Sequence, residues 1–423
     1  MSETTTLRPG YEKPENKSFP QDWKVSQLYE ACTFHQGGKL GITKSAGYVA
    51  SGVPAYSAAG QDGYVGQVEF SNTDGVVLSA IGANCGRCFF ASGNWTTLAN
   101  VQAIIPSPSQ LDAKYLYYRV NRESYWPRSG SAQPFIKPSD VRNCWVAHPP
   151  IDQQKIIASI LDTLNTQIQK TEALIAKLEK VKEGLLHDLL TRGIDDNGQL
   201  RPSPEQAPEL YKESPLGLIP REWEVVSFLD AVDFPSGQVS PLIEPYASLP
   251  LVAPDHIEAG TSRLIRVETA REQGAISGKY IVRPGDVVYS KIRPYLKKAW
   301  LAEIDSICSA DMYPLSPKLL TSAILLRIVM SENFSTYANA ASMRTGIPKI
   351  NREELAGYTF ALPTMQEQVR MENIFQEIER RAEKERETLC KLVSEKNGLM
   401  DDLLTGRVRV TPLLGQAQQA TSA

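Results

Sequence analysis

Residues 184–193 read GLLHDLLTRG and residues 398–407 read GLMDDLLTGR. The same phrase, DLLT, closes two stretches of helical spacing half a chain apart. Shifting the sequence by 214 positions extends the match without a gap. Pro149 meets Pro363, Gln154 meets Gln368, Ile160 meets Ile374, Lys182 meets Lys396, and upstream Pro134 and Ile136 meet Pro348 and Ile350. An ungapped self-match of this length marks an internal duplication.

Each copy carries a heptad seam. In the first, Ile157, Leu161, Leu164, Ile168, Thr171, Ile175, Leu178, Lys182, Leu185 and Leu189 alternate at spacings of four and three. The second places Met371, Phe375, Ile378, Ala382, Glu385, Leu389, Leu392, Lys396, Leu399 and Leu403 at the equivalent positions. Both seams turn polar at the same two places, a device that fixes register and partner at some cost in stability. A helix of about 40 residues is roughly 60 Å long and cannot bury such a seam alone. Its simplest partner is its own duplicate.

The regions before the helices repeat more loosely. FPQDWKV (19–25) resembles IPREWEV (219–225), and GVVLSAI (75–81) resembles DVVYSKI (286–292). Both regions hold short alternating runs between Gly- and Pro-bearing turns, which predicts mainly β domains. AKYLYYRVNRES and SAILLRIVMSENFSTYANAA are the expected helices at matching places. The fold class is therefore α+β, with two mainly β domains, each followed by a long helix, the two helices pairing as a coiled coil. The expected boundaries are 1–148 and 219–362 for the globular domains and 149–193 and 363–406 for the helices. A polar, Pro-rich linker occupies 194–218 and a flexible tail 407–423.

Composition narrows the function. The chain has 423 residues, 42% of them hydrophobic and 22% charged, with net charge −3. No run of about 18 apolar residues suggests a membrane span. The polar N-terminus has no signal-peptide core, and the six scattered cysteines fit a reducing compartment, so the cytoplasm is expected. Residues 1–150 hold 13 Lys and Arg against 11 Asp and Glu, and residues 200–362 hold 17 against 19. Any contact with nucleic acid must use local patches. HExxH, GxSxG and P-loop motifs are missing. The lone pair Cys85 and Cys88 lacks the further ligands that a zinc site needs. No catalytic centre, metal or cofactor is expected in this chain.

One basic, aromatic cluster follows the strand DVVYS: Lys291, Arg293, Tyr295, Lys297 and Lys298, with Pro294 forcing a turn. Arg344, Thr345 and Lys349 form a second basic loop. The first domain offers Gln61, Tyr64, Asn84, Arg87, Asn94 and Trp95 on or near Gly-rich turns. Guanidinium and amide groups are the types that read guanine and adenine edges bidentately, so these residues are the candidates for DNA contact.

With the duplication and both seams in hand, the chain resembles the specificity subunit of type I restriction–modification enzymes. The resemblance rests on the openings at Trp23 and Trp223, the segments SAQPFIKPSDV and RTGIPKINREEL, and the two helical spacers, and it covers nearly the whole chain. It implies an antiparallel helix pair with pseudo-twofold symmetry. It implies that each variable domain reads one half of a split, asymmetric site in double-stranded DNA. It also implies partners: two methyltransferase subunits docked on this chain, and motor-nuclease subunits joined through the complex. S-adenosylmethionine, ATP and magnesium would belong to those partners. The alternative without nucleic acid is a coiled-coil adaptor between proteins, also non-catalytic.

Overall fold

A computed structural model describes residues 9–14, 19–42, 47–130, 132–342 and 348–414. The chain forms two compact units, residues 1–173 with 386–423, and residues 174–385. Each long helix, Ile151–Thr191 and Met365–Thr405, gives one half to each unit. No described helix is long and apolar enough to cross a membrane.

The first unit is built on an antiparallel sheet of β1 (Cys32–Gln36), β2 (Gly75–Ser79), β3 (Cys88–Ala91) and β4 (Val101–Pro106), in the order β1-β4-β2-β3. Strand β2 is an unbroken small and apolar run and is buried along its whole length, as expected of a strand covered on both faces. Helix α1 (Ala113–Val120) packs on this sheet, its first turn capped by the Asp112 carboxylate, which accepts from Lys114 N and Tyr115 N. A second sheet joins Tyr48–Val49, Val53–Ser57, Gly60–Val65 and Thr96–Thr97. Helix α2 (Pro138–Asn143) precedes the strand Trp145–His148, which pairs with Lys24–Gln27 and leads into the first long helix.

The second unit repeats the plan. Strands β5 (Val232–Asp233), β6 (Val287–Ser290), β7 (Ala299–Leu301) and β8 (Met312–Pro317) lie in the order β5-β8-β6-β7. The expected helix SAILLRIVMSENFSTYANAA is two helices, α3 (Ser322–Met330) and α4 (Glu332–Ser342). Ser331 breaks them: it is extended at ψ 157°, and its hydroxyl accepts from Phe334 N at the start of α4. Helix α5 (Arg352–Ala356) then precedes Thr359–Leu362, which pairs with Glu224–Ser227.

Both helix starts are held by the same residue. Gln154 is fully buried; its Oε1 accepts from Asp112 N and its Nε2 donates to Gln110 O and Pro149 O. Gln368 repeats this, accepting from Thr321 N and donating to Leu319 O and Pro363 O. One glutamine thus ties each long helix to the cap of the helix on its sheet.

Inside each unit the two half-helices run antiparallel and share the domain's core. In the first, Ile157 and Leu161 join Leu399, Leu403 and Leu404. In the second, Leu185 and Leu189 join Met371 and Phe375. All twenty seam positions are buried or half-buried. The polar seam position Lys182 pairs with Glu379 at 2.9 Å, and Glu379 also takes Arg327 at 2.6 Å.

The segment after the first helix is anchored in the second unit. Glu367, buried at the start of the second helix, accepts from Ile194 N and Trp223 Nε1 and forms a two-nitrogen pair with Arg201. Tyr211–Ser214 and Gly217–Pro220 add a hairpin within the Pro-rich stretch. After the second helix, Val410 is buried in the first unit and Arg409 reaches Asp22.

Candidate nucleic-acid interface

The basic cluster of the second unit begins where β6 ends. Arg293 and Lys297 both take left-handed backbone conformations, at φ +50° and +46°, on either side of the turn Pro294–Leu296. Such a conformation costs a non-glycine residue about 1–2 kcal/mol, so the surrounding structure must hold it. The hold comes from the segment 348–350: Arg293 N donates to Pro348 O and Ile350 N to Lys291 O. This clip brings Lys349, from far along the chain, beside the loop.

The side chains divide into two groups. Arg293 and Lys349 are exposed, and Tyr295 is 55% exposed. Lys291 is 7% exposed, with its ammonium 4.8 Å from the centre of the Tyr313 ring. Burial, then the like charge of Lys349, lowers its pKa from the ordinary lysine value. Arg352 lies over the same ring and over Phe234. The other two lysines are spent on structure: Lys297 pairs with Glu332, and Lys298 donates to Pro254 O at 2.7 Å. These contacts brace the loop, and both lysines stay half-buried at its surface. Arg344 and Thr345 lie outside the described residues.

In the first unit the candidates sit on separate elements. Gln61 and Tyr64 are exposed on Gly60–Val65 of the second sheet. Asn84 and Arg87 form the turn between β2 and β3, where Arg87 is exposed and its Nε lies 3.7 Å from Glu123. Asn94 is exposed, but its Oδ1 accepts from Asn72 N and Ser71 Oγ, which fixes it as a loop brace. Trp95 is a correction: it is fully buried, stacked on Phe70 at 4.0 Å, with its one donor given to Thr73 O. Cys85 and Cys88 are buried thiols whose pKa values burial raises. Among the described residues no three His, Cys, Asp or Glu side chains converge as metal ligands.

The feature missed in the first unit is a cleft of about 420 Å³ between the end of β2, the start of β4 and the segment 133–138. Gln36, Asn100, Gln102, Gln133, Phe135 and Lys137 line it. The repeat carried the signal, because the 214-residue offset that pairs Pro134 with Pro348 also pairs Phe135 with Lys349.

A family model described as the type I restriction modification DNA specificity domain matches residues 20–180 and 245–391. The chain belongs to this type I DNA specificity family. Its two matched spans fall one on each copy of the duplication. The EcoDI specificity subunit of Escherichia coli is 28% identical over 363 residues, 82% of this chain and 79% of that one. The MjaVIII specificity subunit of Methanocaldococcus jannaschii is 24% identical over 421 residues, 93% of this chain and 95% of that one. Among solved structures, the S subunit of a type I restriction–modification system from M. genitalium has TM-score 0.58 at 13% identity, covering 93% of this chain and 98% of that one. A chain from a structure on complex assembly and conformational transition of the type I system has TM-score 0.50 at 16% identity, covering 92% and 99%. These structural likenesses bear on the fold, and the α+β plan with paired long helices is that of a specificity subunit.

Proposed function

We propose that this chain is the sequence-reading subunit of a type I restriction–modification complex, with each globular domain reading one half of a bipartite, asymmetric site in double-stranded DNA. The domains 1–148 and 219–362 are the readers, and the helices 149–193 and 363–406 set their separation and dock methyltransferase subunits. The observation that carries this reading is the duplication itself: two domains of one plan, each tied by a buried glutamine to its own long helix, with different side chains on their loops. A preserved scaffold with altered contents suits one task performed on two different targets. The near-neutral charge fits the same reading, since partner subunits can supply phosphate contacts while this chain supplies base contacts. Chemistry is assigned to the partners. Methyltransferase subunits would use S-adenosylmethionine to modify an adenine in each half, and motor-nuclease subunits would bring ATP and magnesium.

The test is to assemble the chain with the methyltransferase subunit of the same organism and map methylated adenines on a random duplex library. A single bipartite sequence with a fixed gap is expected, with one adenine modified in each half. Methylation spread without sequence preference would refute the proposal.

A further inference from the structure

The two units carry the same clip with different contents. In the first, Gly82 N donates to Pro134 O at 2.9 Å and Ile136 N to Ala80 O at 2.9 Å. In the second, Arg293 N donates to Pro348 O at 2.8 Å and Ile350 N to Lys291 O at 2.9 Å. Ile81 bridges Phe135 as Ile292 bridges Lys349. Gly82 and Arg293 share the left-handed backbone, at φ +94° and +50°. The framework residues coincide: Ser79 with Ser290, Ile81 with Ile292, Pro134 with Pro348, and Ile136 with Ile350.

Around this fixed framework three positions change character. Ala80, Gly82 and Phe135 in the first clip stand where Lys291, Arg293 and Lys349 stand in the second. Arg293 keeps a conformation that glycine adopts freely, so its side chain has a use that its backbone does not. Among the described residues no acid pairs with Arg293 or Lys349, although the second unit is acidic overall. Lys291 is nine-tenths buried, its charge resting on Tyr313 with Lys349 and Arg352 as like-charged neighbours. Asp311 gives Lys291 some countercharge, but the three cations outnumber it, and the exposed pair Arg293 and Lys349 suits an acceptor group from outside the chain. The first clip has no cation at these positions. Gln36 and Gln133 are exposed beside the cleft, Gln102 is buried with its amide donating to Ile136 O, and Phe135 is 36% exposed on the rim.

We propose that the clip is the specificity-determining element of each globular domain, reading guanine edges in the second unit and A·T pairs in the first. Lysine and arginine donate to the two acceptors of guanine, O6 and N7. Glutamine amides match the donor–acceptor pair of adenine, and an exposed aromatic ring suits the thymine methyl. This inference rests on the DNA-reading function proposed above.

The experiment uses the full chain bound to its methyltransferase subunits, with duplexes selected from a randomised library. The wild-type complex is expected to select guanine in one half-site and A·T pairs in the other. Arg293→Gly relieves the backbone and preserves the fold. With Lys349→Phe it is expected to weaken guanine preference about 5- to 100-fold in one half alone. Phe135→Lys is expected to change only the other half. An equal fall in affinity for all sequences, a change in both halves, or an unchanged selection by all three variants would overturn the clip as reader. A wild-type complex that selects no sequence would overturn the DNA-reading function itself, and the clip with it.

Discussion

Gln154 and Gln368 show what a single residue contributes. Each amide spends its acceptor on the N–H of a helix N-cap and its donor on backbone carbonyls. Gln368→Ala would remove three hydrogen bonds and leave the buried Pro363 carbonyl without the amide it accepts from, at a cost of about 1–3 kcal/mol. Urea unfolding followed by a probe in the second unit should register that loss, and a change below about 0.5 kcal/mol would contradict the clamp. The repeat made both glutamines visible in the sequence, but not what they hold, because their partners lie about 40 residues away. Trp95 was misread for the related reason that a tryptophan between turn residues has no local mark of burial. The contacts of Lys297 and Lys298 were not legible, because their acceptors, Glu332 and Pro254 O, come from distant parts of the chain. Phe135 was overlooked because a phenylalanine beside proline and isoleucine reads as core, whereas the clip lifts it onto a rim.

At the scale of elements, periodicity was the most legible signal. Heptad spacing is a local property, and all twenty seam residues lie where it puts them. Strand order was not legible, since β4 lies between β1 and β2 only through long-range pairing. Nor was the polar seam partner: Lys182 meets Glu379, not the seam residue Glu385. Burial pushes the Glu379 carboxyl up, but Arg327 and Lys182 together hold it below the usual carboxylate range. A carboxylate with a depressed folded pKa contributes stability that is present above its unfolded pKa, about 4.3. That contribution is lost as pH falls through the lower folded value. Glu379→Gln should therefore be less stable than the wild type by a constant amount at neutral pH. The two should converge below about pH 4.3. Denaturation midpoints measured between about pH 3 and pH 7 test this, and parallel curves over the whole range would show that Glu379 titrates alike in both states.

For the whole molecule, the duplication decided the fold class from sequence, because two copies of one helix seam need a partner and offer each other. The clips needed coordinates, because each joins residues about 55 apart. The proposed function has two independent readers held at a distance fixed by helix length. Inserting one heptad at Ala173 and another at the equivalent Glu387 adds about 10 Å while keeping the seam face. The measurement is the recognised sequence, mapped by methylation with the partner methyltransferase. Both half-site sequences are expected unchanged and the gap between them wider by about three base pairs, at about 3.4 Å each. An unchanged gap, from a chain that still methylates both halves, would contradict it.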